Sequence, residues 1–396
     1  MKLYKNLVNS VALTLQEIFV KNRYADKALE KVFKQNPQWG SRDRRFVAEG
    51  VYDCVRNFRL YGELAESQTN FWFITAVWLV VKKIEIPDWQ EFKHVDAAFI
   101  LARQESLKIN LPVYESYPDW LWELGAKELG EELWQQQASA MNEQAPVFLR
   151  TNTLKTSKEK LAAALKNEKI ETSELADVDS ALQLSKRENV FQTKLFKEGW
   201  FEVQDAGSQL ISQYLDPKPN DLVIDACAGA GGKSLHLAAL MKNKGKIISL
   251  DVEDWKLEEL KKRAKRAGVS NIETRVILPD KTISQLHAKA DKLLLDVPCS
   301  GLGVLKRNPD AKWKLSAETI ERTQKLQQTI ISEYSEMLKT GGLMVYSTCS
   351  LLPSENQEQV KTFLKDNKNF ELLKDKTLLP SQGYDGFYMA LLKRNS

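Results

Sequence analysis

Apolar positions recur at helical spacing along the first third of the chain. Leu7, Val11, Leu15 and Ile18 fall on one helix face, Tyr24, Ala28 and Val32 on a second, and Val47, Val51, Val55 and Phe58 on a third. Phe71–Val81 is apolar on all sides, the pattern of a helix buried among others. With Pro37 and Gly40 as punctuation and no strand-like alternation, residues 1–112 predict an all-α bundle. The pattern then becomes mixed. Pro118 suits the first turn of a helix that continues in pieces to Leu133-Trp134, and Val147–Arg150 reads as a short strand. Thr156 and Glu159 stand at capping-box spacing before Leu161–Leu165. Strand-like pieces at Ala181–Leu184 and Trp200–Val203 complete a reading of 113–206 as linker helices and a small α/β module.

Residues 207–396 alternate strand and helix, the mark of a largely parallel, doubly wound sheet. Leu222-Val223-Ile224 opens it; Lys246–Leu250, Thr274–Leu278, Lys292–Leu295 and Leu343–Tyr346 follow. Gly386–Leu392 reads as a final strand in an antiparallel edge hairpin. Ligands of such sheets bind outside the carboxyl ends of the strands.

The residues at those ends carry the candidate chemistry. The first strand runs into Asp225-Ala-Cys-Ala-Gly-Ala-Gly-Gly-Lys-Ser234, a glycine-rich turn before a helix, where backbone N–H groups can approach a nucleotide-like ligand. A phosphate-binding P-loop would need glycine where Cys227 stands, and a dinucleotide fingerprint would need glycine or alanine where Ser234 stands. A nucleoside ligand without a demanding pyrophosphate remains. Asp251 lies about 20 residues beyond the glycine turn, where such sheets hold a ribose, and Asp280 follows the next strand. Asp296-Val-Pro-Cys299 follows the fourth strand and Cys349 the fifth. A single cysteine is usually a small buried hydrophobe. Two at corresponding ends of one sheet make a candidate pair of reactive thiols. Cys54 falls on an apolar helix face and reads as core, whereas Cys227 reads as structural, with only its backbone near the ligand.

Composition narrows the setting. A 43% hydrophobic, 28% charged chain of 396 residues is that of a folded protein with two or three domains. A net charge of +4 permits a nucleic-acid partner without requiring one. Four widely spaced cysteines without a CxxC pair suggest free thiols in a reducing cytosol rather than disulfides or zinc. Three histidines make His-centred catalysis or metal binding a poor expectation. The 11 residues of Phe71–Val81 are too few to span a bilayer, and the N-terminus lacks the features of a signal peptide, so a cytoplasmic protein without metal or membrane partner is expected.

Three ordered motifs give the chain a family resemblance. These are the Asp225–Ser234 turn, Asp296-Val-Pro-Cys-Ser-Gly-Leu-Gly303 followed by Arg307-Asn-Pro-Asp310 and Lys312-Trp313, and Tyr346-Ser-Thr-Cys-Ser350 followed by Glu355-Asn356. From about residue 145 onward they resemble the Sun/RsmB family of RNA cytosine-5 methyltransferases. Tyr24-Ala25-Asp26, Gly40–Phe46 and Val51-Tyr52 with Arg56 resemble the NusB-like helical domain fused to some of these enzymes. The resemblance implies an all-α NusB-like domain (1–112), a small α/β RNA-binding module (113–206) and a Rossmann-like methyltransferase domain (207–396). It implies S-adenosyl-L-methionine as cofactor and RNA, above all ribosomal RNA, as partner of a monomer. Cys227, Ala228, Gly229, Ala230, Gly231, Gly232, Lys233, Asp251, Asp280 and Asp296 are then the cofactor set, and Cys349, Cys299 and Asp296 the catalytic set. The family's turn usually reads C-A-A-P-G-G-K-T, so Gly229 and Ala230 depart from it.

The two thiols suit that reaction. A thiolate adding to cytosine C6 makes C5 nucleophilic; C5 takes the methyl group, a base removes its proton, and the thiol leaves. By the family's pattern Cys349 attacks and Cys299 assists release, although in DNA cytosine-5 methyltransferases the Pro-Cys thiol attacks, which corresponds to Cys299. Asp296 would hold the cytosine edge, and Lys233 would support the turn. Two stretches keep alternative readings: Ser41–Phe46 as a phosphate contact or a solvated helix start, and Arg150, Asn152 and Lys155 as RNA ligands or surface residues at a strand end. The same reaction on transfer RNA, a non-catalytic ribosome assembly factor and a DNA substrate remain competing functions.

Overall fold

A computed structural model describes residues 3–278 and 281–395. Contacts group the chain into two units, Met1–Gln144 with Leu305–Ala317, and Ala145–Val304 with Glu318–Ser396.

The first unit is helical. Helices Lys5–Phe19, Ser41–Arg56 and Phe58–Leu64 pack around Phe71–Val81, and Ala25–Gln35 packs on the first two of them. Ile74–Val80 are all buried, as expected of a segment with no polar face. Gly50 lets helix 41–56 approach this centre: a Cβ there would lie 2.8 Å from the Trp78 ring. Helices Asp119–Leu129 and Glu131–Met141 bury Trp134 against Tyr117 and Trp122. Pro118 precedes the first of these helices instead of occupying its first turn. In Ser41–Phe46, Arg44 donates to the Trp39 carbonyl at 3.0 Å and lies over the Phe33 ring, while Arg42 and Arg45 are exposed.

The segment Leu305–Ala317 belongs to this helical unit although the catalytic motifs flank it in sequence. Asp310 accepts from the Ala25 N–H at 2.9 Å, at the start of helix 25–35. Trp313 donates to the Val55 carbonyl at 2.7 Å and packs edge-on to Phe58. Lys312 is buried with its ammonium 4.2 Å from the Tyr117 ring centre, and burial pushes its pKa well below the usual lysine value.

The second unit holds two sheets. β1 (Phe148–Thr151), β2 (Thr172–Glu174), β3 (Ala181–Leu184) and β4 (Phe201–Val203) form an antiparallel sheet in the order β2-β3-β1-β4, with helix Lys158–Asn167 packed on it. Ser157, not Thr156, caps that helix, accepting from the Lys160 N–H. β5 (Leu222–Asp225), β6 (Lys246–Asp251), β7 (Ile272–Val276), β8 (Ala290–Asp296), β9 (Leu338–Thr348), β10 (Phe370–Leu378) and β11 (Phe387–Arg394) form the larger sheet, in the order β10-β11-β9-β8-β5-β6-β7. β7 stops at Val276, two residues short of the expected end. β5 to β9 pair in parallel; β11 runs antiparallel between β9 and β10. β10 gives little sequence signal because its central residues are exposed.

Neighbouring strand residues bury on opposite faces. Val223, Ile247, Leu294 and Val345 pack under helices Ala206–Leu215 and Gly232–Leu240, whereas Ile224, Ile248, Leu293 and Tyr346 pack under helices Ala317–Tyr334 and Gln357–Asp366. Burial on both faces is why these strands read as unbroken apolar runs. Strand order reverses at β5, between β6 and β8, so the switch point at which ligands of such sheets bind falls at the end of β5, at Asp225.

Candidate active site

The glycine turn is held between its two neighbouring strands. Ala226 donates to the Leu294 carbonyl of β8 and Ala228 to the Leu250 carbonyl of β6, each at 2.9 Å. Gly231 has φ 83° and lies so close to helix Asp254–Ala267 that a Cβ would sit 2.4 Å from Leu260 Cγ. At Gly229, with φ 54°, a Cβ would meet no atom within 4 Å, so the turn opens there onto free space. The Gly229 N–H donates to Asp251 Oδ2 at 2.9 Å, and Asp251 Oδ1 accepts from the Glu253 N–H at the same distance. Asp280 lies outside the described residues. Cys227 is half-buried and burial raises its thiol pKa well above the usual value; Cys54 is core.

The small sheet braces this turn. Arg150, which is buried, donates to the Gly232 carbonyl and, at 2.5 Å, to Gln204 Oε1. Glu202 on β4 receives Arg263 at 3.0 Å and Arg266 at 2.5 Å, and Arg263 also donates to the Ala230 carbonyl at 2.8 Å. Asn152 donates to the Gly199 and Ala267 carbonyls at 2.8 Å, and the Lys155 ammonium to the Glu198 and Arg266 carbonyls. Arg150 and Asn152 are buried rather than at the surface, whereas Lys155 is exposed, and each of the three donates a hydrogen bond that joins the small sheet to the catalytic one.

The candidate catalytic residues converge at the ends of β8 and β9. Lys233 Nζ stands 2.6 Å from Asp296 Oδ2, and Ser347 Oγ donates to Asp296 Oδ1 at 3.0 Å. Burial of Lys233 opposes its charge, but Asp296, with smaller contributions from Cys349 and Asp225, more than offsets this and holds its pKa above the usual lysine value. Lys233 is therefore a fixed cation at neutral pH. Below it, Asp225 accepts from Ser234 Oγ at 2.6 Å, and Ser249 Oγ donates to Ser234 at 2.9 Å. Burial, opposed by the Ser234 bond and reinforced by Asp296, raises the Asp225 carboxyl to about 7.

Cys299 and Cys349 come together, their sulfurs 3.2 Å apart, and the Cys349 N–H lies 3.3 Å from Cys299 Sγ. Contact with Cys349 and burial push the Cys299 thiol well above its usual pKa. The approach depends on Gly303, whose N–H donates to the Cys349 carbonyl at 2.8 Å; a Cβ there would lie 2.2 Å from the Gly386 carbonyl oxygen.

Residues 212–393 match the 16S rRNA methyltransferase RsmB/F family, and residues 117–191 match the ferredoxin-like domain of RsmF/B-like methyltransferases. A probable ribosomal RNA small subunit methyltransferase B of Synechocystis is 36% identical over 96% of this chain and 98% of its own. The chain belongs to the RsmB/F methyltransferase family. It is accordingly an S-adenosylmethionine-dependent methyltransferase with a mixed seven-stranded sheet and a ferredoxin-like domain. The crystal structure of PH0851 covers all of both chains at a TM-score of 0.82 and 25% identity. That of a methyltransferase homologue from Pyrococcus horikoshii covers 72% of this chain and 98% of its own, at a TM-score of 0.64 and 29% identity. Among the described residues no helix is long and apolar enough to cross a membrane.

The Gln204–Gly232–Arg150 and Glu202–Arg263–Ala230 braces were missed in the sequence. Each joins residues distant in the chain, and neither Gln204 nor Glu202 carries a local signal.

Proposed function

We propose that this enzyme methylates C5 of a cytosine in small-subunit ribosomal RNA through a covalent bond between a cysteine sulfur and cytosine C6. The observation that carries this reading is the thiol pair at 3.2 Å beside the Lys233–Asp296 ion pair. The substrate follows the activity in the name of the Synechocystis relative.

The turn fits the cofactor: it presents backbone at Gly229 to open space and fixes that backbone on Asp251. Residues Cys227 to Lys233 would hold the amino-acid end of S-adenosylmethionine and Asp251 its ribose, with Asp296 at the boundary between cofactor and base. When bound, the cofactor supplies an electrophilic methyl group.

The chain's own residues do the rest. Lys233 is kept cationic by Asp296, and the reaction uses Cys349 as its thiolate. That thiolate adds to C6 as electron density moves to C5 and a proton reaches N3, where the Asp296 side chain holds the cytosine edge. After C5 is methylated, its proton passes to a base, the C6–S bond breaks as the C5–C6 double bond re-forms, N3 gives up the proton it gained, and the Cys349 sulfur leaves with the bonding pair. Cys299, held protonated beside it, assists this release. The target base must be unpaired or flipped out to be reached. The helical region, with Arg42 and Arg45 exposed, and the small α/β module contribute RNA-binding surface.

Two variants and one mapping experiment test this. Cys349→Ala should abolish methyl transfer while S-adenosylmethionine still binds, and Cys299→Ala should accumulate an RNA–protein adduct on denaturing gels. An adduct with Cys349→Ala instead would reverse the two thiols. Loss of 5-methylcytosine from transfer RNA rather than small-subunit ribosomal RNA, in cells lacking the enzyme, would overturn the substrate.

A further inference from the structure

The loops carrying Cys299 and Cys349 leave adjacent parallel strands, and two neighbouring buried side chains behind them hold one loop each. Glu355 is fully buried. Its Oε1 accepts from the Ser300 N–H at 2.8 Å and from Gln327 Nε2 at 3.2 Å, and its Oε2 accepts from Ser300 Oγ at 2.5 Å. Gln327 also donates to the Pro298 carbonyl at 2.8 Å, so both chain neighbours of Cys299 are fixed. Asn356, only 1% exposed, does the same for the other thiol. Its Oδ1 accepts from Thr348 Oγ1 at 2.5 Å and its Nδ2 donates to the Ser350 carbonyl at 3.0 Å, on either side of Cys349. Tyr346 anchors the pair by donating to the Glu355 carbonyl at 2.8 Å, and Ser300 Oγ meets Ser350 Oγ at 3.2 Å between the loops.

A fully buried carboxylate is costly unless its oxygens are well satisfied. Glu355 makes no ion pair among the described residues; three hydrogen bonds hold it, two of them from the residue after Cys299. Its stabilisation therefore depends on the Cys299 loop keeping its position, just as that loop depends on Glu355.

We propose that Glu355 and Asn356 are separate positioning residues, Glu355 for Cys299 and Asn356 for Cys349, so that two adjacent residues govern the two halves of the covalent cycle. The proposal rests on the two-thiol reading above. Asn356 sets the sulfur that adds to C6 and Glu355 the sulfur that assists its departure.

The test uses the full chain with labelled S-adenosylmethionine and small-subunit ribosomal RNA transcribed in vitro, following adduct, methyl transfer and cofactor affinity together. Asn356→Ala should slow adduct formation and methyl transfer by about tenfold or more. Glu355→Gln, which keeps shape but replaces an accepting oxygen by NH₂, should accumulate adduct and slow turnover by about tenfold or more, as is expected of Cys299→Ala. Cofactor affinity should change by less than about threefold in both. If Glu355→Gln fails to fold, Ser300→Ala removes one bond of the same clamp and should give the same accumulation. Cys299→Ala and Cys349→Ala run alongside. If those two exchange behaviour, and Glu355→Gln and Asn356→Ala exchange with them, the pairing of clamp to thiol is upheld. Parallel loss of adduct, turnover and cofactor binding in both clamp variants would overturn it, as a general packing role. If neither cysteine governs the adduct, the two-thiol reading falls and the clamp proposal with it.

Discussion

Asp225 ends β5 as a fully buried carboxyl, and its environment makes ionisation expensive. Its pKa of about 7 lies above the ordinary aspartate value of 3.8. Between those two pH values the folded chain keeps a proton that the unfolded chain has released. The contribution of this group to stability is thus full below pH 3.8, falls as pH rises, and levels off above about 7. Asp225→Asn removes the titration. Its stability relative to the parent chain should rise from pH 4 to 7 and stay constant beyond, which thermal melts at pH 5, 6, 7 and 8 will check. Lys233 is the opposite case: its partner keeps it charged, so no loss of its charge is expected through neutral pH. The sequence placed both residues in the turn. It could not assign either state, because that of Asp225 follows from burial and that of Lys233 from Asp296, 63 residues further along the chain.

At the scale of elements, the strand–turn–helix unit was legible in the order of apolar run, glycines and helical pattern, and the structure keeps it at Leu222–Asp225 and Gly232–Leu240. What braces it from behind was not legible. Gly231 meets two constraints, a left-handed φ and the Leu260 side chain 2.4 Å from a built Cβ. Gly231→Ala should therefore cost ~2–4 kcal/mol, combining backbone strain with overpacking, and weaken S-adenosylmethionine binding. Adding Leu260→Ala should relieve the clash but leave the backbone cost, a partial recovery that denaturant titration of the single and double variants will read. Glu202→Ala leaves Arg263 and Arg266 without their carboxylate, and the Ala230 carbonyl then loses a fixed donor. It should raise the cofactor Kd several-fold while leaving the thiol pair in place, measurable by calorimetry beside adduct formation.

At the scale of the whole molecule, the chain order of the motifs misleads. Arg307-Asn-Pro-Asp310 and Lys312-Trp313 follow the Pro-Cys loop in sequence, yet Asp310 and Trp313 serve the helical unit, on the Ala25 N–H and the Val55 carbonyl. Trp313→Ala should lower the stability of that unit by ~2–3 kcal/mol, less than for a fully buried tryptophan because Trp313 is only half-buried. Loss of hydrogen-exchange protection in helices 5–19 and 41–56 would register it. The helical bundle itself was predictable, since Phe71–Val81 is apolar around its whole circumference and only a central position buries such a surface.

Periodicity and short motifs are local signals, and they were enough to read the parallel sheet, the glycine turn, the two strand-end cysteines and the family resemblance. Tertiary structure decided which polar residues are spent on holding the loops and sheets together. Arg150, Asn152 and Lys155, read as RNA ligands or surface residues, donate to backbone carbonyls, whereas Glu355 and Asn356, which carried no assigned role, stand behind the two cysteines. A hydrogen-bond partner far along the chain leaves no trace in local spacing, and burial, which makes such a bond matter, exists only in the folded protein.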